Sequence, residues 1–249
     1  MSFSKIALAS LKYHRPMTAF YVIFLVISFF LLFIIDSLKI SLPFIYSHME
    51  DLLSSSGYSL EKQSILGYIQ EPTETIGRYY DFVKKAALIF FTALFFIYFF
   101  ICQIIKEKEY LIWKNSGNRT LSWVYFNLLE MIFPLFIFFL IFAAMIMLLQ
   151  HFFVGIILNQ HLKIIEMVHG TNTITEQFGQ DNLDNLVVRF PRTNQALIQT
   201  ILLSSKEWTK ILFISLGQTM RNFIFLVFPT QIGAIGVHYF WRHKFGTNN

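Results

Sequence analysis

Polar positions cut the chain into four long apolar stretches. Met17 to Ile35 and Ala86 to Ile105 carry no charge. A third stretch begins at Trp123 and stays apolar to Leu158, interrupted by Glu130 alone among Asp, Glu, Lys and Arg. A fourth enters after Arg221 and ends at Trp241. About 20 apolar residues cross the ~30 Å of bilayer hydrocarbon, so each stretch predicts a membrane-spanning helix. The first is too long for a cleavable signal peptide, and no small-x-small site follows it. The third is longer than a span needs, as is the run from Trp208 to Trp241 that contains the fourth: a helix over 123–158 runs roughly 54 Å, about 20 Å beyond the bilayer. Two arrangements fit this excess, a stalk projecting from the outer face or a tilted helix followed by an interfacial segment.

Composition narrows the class. Of 249 residues, 55% are hydrophobic and 14% charged, with 30 Phe and 8 Met; soluble domains carry about 25% charge. The single cysteine, Cys102, cannot form an intrachain disulfide. The net charge of +5 is placed by topology and needs no nucleic-acid partner. Lys5, Lys12 and Arg15 precede the first span, Lys106, Lys108, Lys114 and Arg119 separate the second and third, and Arg242 and Lys244 follow the fourth. Most of the acids fall in the other two connections. The positive-inside rule then puts both termini and the 106–122 connection in the cytoplasm, with Trp123, Tyr125, Tyr239 and Trp241 at interfaces.

The expected fold is an all-α membrane protein. Residues 1–16 form an amphipathic interfacial helix, with Phe3, Ile6, Ala7 and Leu11 at helical spacing and Pro16 at its end. The spans are 17–35, 86–105, 123–158 and 210–241, the last two with outer extensions. Residues 106–122 form a cytoplasmic coupling elbow, 36–85 and 159–209 two small extracytoplasmic loops, and 242–249 a cytoplasmic tail. The loops are punctuated by Gly57, Gly67, Pro72 and Gly77, and by Gly170, Gly179 and Pro191.

No GxxxxGK[ST] loop, HExxH, GxSxG or cysteine cluster occurs, and the seven histidines show no ligand spacing. The informative segment is 106–130. Lys106 to Lys114 continues the second span as a helix, Gly117 offers a left-handed stop, and Thr120 can cap the next helix. Such an elbow, with Trp113 exposed on it, is a docking knob for a soluble partner; a solvated basic loop is the plainer alternative. Glu130 lies at membrane depth, where a carboxylate faces the bundle and finds a partner. Pro134 withholds the N–H that the Glu130 carbonyl would accept, which predicts a bend or hinge. Glu130→Gln is expected to be tolerated, because it removes a charge that is costly at depth.

Glu109, Leu111-Ile112, Lys114 and Gly117, followed by Glu130 in the next helix, resemble the FtsX-like (MacB/FtsX/LolC) permeases of ABC transporters. That family carries an acid, a short apolar run, a base and a glycine before a span. The opening Ile6 to Lys12 is similar to the family's amphipathic start. Asn118-Arg119 stand where the family has small residues, the first outer region is smaller than in typical members, and the second is larger. The resemblance implies a non-catalytic permease subunit in a bacterial cytoplasmic membrane, N-in and C-in. It would couple to a separate ATPase of MacB/LolD/FtsE type through Glu109, Trp113, Lys114 and Gly117, and pair with a second permease subunit. ATP and Mg would sit on the ATPase, and no cofactor or metal on this chain. The cargo implied is an amphipathic peptide or lipid-like compound. Two other readings stay open: a mechanotransmission regulator of a cell-wall hydrolase, and an ATPase-independent immunity or scaffold membrane protein.

Overall fold

The computed structural model describes residues 9–55, 62–169 and 203–245. They are almost entirely helical: α1 Arg15–Ser55, α2 Lys62–Ile105, α3 Glu107–Asn115, α4 Thr120–Leu148, α5 Gln150–His169 and α6 Ser205–Phe245. Residues 9–13 form a further helical stretch, with a turn at His14. Four helices among the described residues are long and apolar enough to span a membrane: Arg15–His48, Glu74–Ile105, Thr120–Leu148 and Ser205–Arg242. They fit a multi-pass membrane protein, and the physical reason is direct. Without water in the hydrocarbon, a spanning backbone satisfies its own N–H and C=O groups only in a helix or a closed barrel.

The helices run further than the apolar stretches do. Residues 36–55 and 62–85, expected to be loop, continue α1 and begin α2. Helix α2 passes through Gly67, Pro72 and Gly77 without ending. The apolar run from 123 is two helices, α4 and α5, separated at Leu149. Helix α6 begins at Ser205, with Glu207 returning to Ser204 in a capping box: the Ser204 N–H and Oγ each donate to Glu207 Oε2 at 2.8 Å. Pro16 belongs to the first turn of α1, where a missing N–H costs nothing; the preceding helix ends at His14. Pro43, Pro134 and Pro229 lie inside α1, α4 and α6. Phe3, Lys5, Ile6 and Ala7 of the expected amphipathic helix, and residues 170–202 of the second outer region, lie outside the described residues.

The contacts divide the chain into two units. The first comprises residues 1–32, 85–145 and 217–249. Its core is aromatic. Phe29 packs on Phe139, Phe142 and Phe223 with ring centroids 4.9 to 5.4 Å apart, and Phe95 packs on Phe24, Phe99 and Phe223. Opposite faces stay apolar too: Phe20, Ile89, Phe136, Leu140 and Phe225 are 58–72% exposed. Helices hydrophobic all round are suited to lipid.

The second unit comprises residues 33–84 and 146–216. Here α1 and α2 carry opposite charges in complementary order. Asp36 pairs with Lys84 at 2.6 Å, and Lys39 pairs with Asp81. Phe33 meets Phe153 edge-on at 5.6 Å, and Tyr80, Trp208, Ile211 and Leu212 are buried.

Candidate functional site

Helix α3 is short, nine residues, and would be marginal alone. Glu107 and Glu109 in its first turn and Lys114 in its last complement the helix dipole. It stops at Ser116, whose N–H donates to the Ile112 carbonyl, and at Gly117, whose N–H donates to the Lys114 carbonyl. Gly117 has φ 79°, the left-handed conformation that an L side chain resists.

What stabilises α3 is packing. Tyr110, Trp123 and Phe126 are buried together, with Trp113, Leu129 and Phe133 against them. The Trp113 ring stacks on Phe126 at 5.7 Å and meets Trp123 at 6.0 Å. The exposed aromatic expected at position 113 is therefore half-buried: it braces the elbow from within. The apolar groups left outward are Ile112, 68% exposed, and Leu121, 78% exposed, with Lys114 and Arg119 also exposed.

Three charged contacts tie the elbow to the rest of its unit. Glu109 Oε1 lies 2.7 Å from His14 Nε2. Arg242 lies 3.5 Å from Glu107 and over the Tyr110 ring, 5.4 Å from its centroid. Lys106, in the turn between α2 and α3, pairs with Glu130 of α4, and both are 2% exposed. Ser10 Oγ donates to the other Glu130 oxygen at 2.9 Å. Glu130 thus faces inward with partners, as a buried carboxylate requires.

A neutral layer lies beside this network. Gln231 donates to the Asn127 carbonyl at 2.9 Å, Asn127 donates to the Trp123 carbonyl at 2.9 Å, and Gln103 donates to the Asn127 side chain at 3.4 Å. Pro134 lies one turn after Glu130 in α4.

Sequence reasoning singled out Glu109, Trp113, Lys114, Gly117, Glu130 and Pro134, and the first five lie around one helix–turn–helix. It missed Ser10, His14, Lys106 and Arg242 as partners. One signal was available: a carboxylate at depth needs a cation, and Lys106 is the base that directly ends the preceding apolar run.

The second unit holds a separate polar cluster. His161 Nε2 is 2.7 Å from Ser41 Oγ, and His161 Nδ1 is 2.8 Å from Tyr80 Oη. Ser41 Oγ also lies within donating distance of the Leu38 carbonyl, at 3.0 Å, and the ring tautomer sets which His161 nitrogen donates and which accepts. Burial pushes His161 down to about 4 and keeps it neutral. Ser41 is fully buried beside it. Among the described residues, no group of three or more His, Cys, Asp or Glu could hold a metal ion.

No family model, curated protein or solved structure matches this chain.

Proposed function

We propose that the chain is the permease subunit of an FtsX/MacB-like ABC transporter. It couples ATP hydrolysis on a separate ATP-binding subunit to export, or outer-leaflet handling, of an amphipathic peptide or lipid-like compound. In this reading both termini and α3 face the cytoplasm, ATP and Mg bind the partner, and a second permease subunit completes the assembly.

One observation carries the proposal: the connection between two candidate spans is a braced lever. An ordinary linker has no need of a left-handed glycine, a four-ring aromatic brace, and ties to residues 95 and 24 positions away, from Glu109 to His14 and from Lys106 to Glu130. A push on the Ile112–Leu121 surface passes through Glu109 to His14 and through Lys106 to Glu130, so it reaches the start of α1 and the body of α4 together. Glu109 and Lys106 then act by transmitting force, and the docking contact falls to Ile112, Lys114 and Leu121. Pro134 serves as the joint above Glu130, where one backbone hydrogen bond is already absent.

Affinity purification of the tagged chain from its own host membranes tests this. A protein with a phosphate-binding ATPase motif should co-purify, and Ile112→Asp should remove it while the chain still inserts. Recovery of the chain without any ATPase, under conditions that preserve other membrane complexes, contradicts the proposal.

A further inference from the structure

The second unit contains an amphipathic cleft where α4 gives way to α5. The helix is interrupted at Leu149, although no proline or glycine stands there. Gln150 reaches α6 instead, donating to Thr209 Oγ1 at 2.8 Å and to the Ser205 carbonyl at 3.2 Å. Ile146, Met147, Leu212 and Phe213 complete a cleft of about 220 Å³ around these amides and hydroxyls. A second, more open hollow of about 560 Å³ shares Thr209 and Phe213 and is lined by Lys206 and Lys210.

Charge and position favour one kind of occupant. Lys206 and Lys210 are exposed and one helical turn apart, at the cleft's rim. The acid beside them, Glu207, is committed to the Ser204 cap. Lys210 lies over the Phe44 ring, 5.5 Å from its centroid, which steadies the side chain without neutralising it. Two candidate spans terminate here: Thr120–Leu148 ends at the cleft, and Ser205–Arg242 begins at it. Around the break, Met147, Leu148 and Phe152 expose 60–83% of their surface. Apolar walls below lysines, at the ends of spans, match the boundary between acyl chains and headgroups.

From this we infer that the cleft binds an anionic phospholipid. The acyl chain lies along Met147 and Phe213, and the headgroup phosphate meets Lys206 and Lys210. The site is independent of the ATPase reading and requires only that the chain spans a membrane.

Mass spectrometry of lipids retained by the full chain after purification in mild detergent tests it. The wild-type chain should retain phosphatidylglycerol over phosphatidylcholine from a mixed supply. The Lys206→Gln/Lys210→Gln pair should lower that retention about twenty-five-fold, since each lysine near a lipid surface contributes about a factor of five. Both lysines are exposed, so circular dichroism should stay at the wild-type value. Met147→Ser should also lower retention, while Lys163→Gln, an exposed lysine elsewhere in this unit, should not. Four results would overturn the inference: unchanged retention in the double variant, an equal loss in Lys163→Gln, no preference for the anionic lipid, or displacement of the lipid by excess inorganic phosphate, which would mark a simple anion site.

Discussion

Lys106 and Glu130 form the most consequential contact in the first unit, because each is buried and each is the other's charge partner. Removing one member leaves an uncompensated charge, which costs about 3–5 kcal/mol in buried pairs. Glu130→Gln, which the sequence alone suggests is harmless, should therefore destabilise, and so should Lys106→Met. The combined Lys106→Met/Glu130→Leu chain should recover much of the loss, since apolar replacement of a whole pair is often neutral. Thermal unfolding in detergent would show this order; a wild-type midpoint for Glu130→Gln would refute it. The carboxylate was legible as a misfit in an apolar run. Its partner was not, because Lys106 reads equally well as an ordinary basic flank until α2 and α4 are side by side.

His161 gives a second residue-scale expectation. The folded protein holds it neutral down to about pH 4, while the unfolded chain takes up a proton near 6.5. The unfolded state thus binds more protons between these values. The stability is complete above pH 6.5 and falls as pH drops toward 4, by about 3 kcal/mol in all. Chemical denaturation of His161→Gln should lack this part of the pH slope; an unchanged slope would place its origin elsewhere.

At the scale of elements, Gly117 decides how α3 meets α4. A Cβ at Gly117 would find open space, with nothing within 4 Å. Substitution is therefore penalised through the backbone alone. Gly117→Ala should cost about 1 kcal/mol and Gly117→Asn less, because Asn enters the left-handed region more readily. Equal stability of both variants with wild type would mean that the turn tolerates another conformation. This stop was readable because glycine after a polar pair has a local geometric meaning. The reach of α1 and α2 past their apolar runs was not. Beyond Ile35 the chain alternates charge with apolar residues, a pattern that loops and helices share. What makes it helical is the pairing of Asp36 and Lys39 with Lys84 and Asp81, contacts that span 42 residues or more. The break at Leu149 was equally hidden, since it lies in continuous apolar sequence and is marked only by the contact of Gln150 with α6.

For the whole molecule, span number and helical class follow from hydrophobic length, which one sequence displays fully. Orientation follows from charge bias and is a separate expectation. A cysteine placed at Ser116 should be labelled by an impermeant reagent only after the inner face is opened, with native Cys102, which is buried, as the silent background. Labelling in intact cells would reverse the topology.

The central claim is that the braced elbow receives an ATP-binding subunit, and its outward surface is the place to ask. A photo-cross-linking amino acid at Ile112 should form, in living cells, an adduct that contains an ATPase with a phosphate-binding loop. The same probe at Phe136, on an apolar face of α4, should give no such adduct. An Ile112 probe that is activated efficiently yet captures no ATPase would contradict the account.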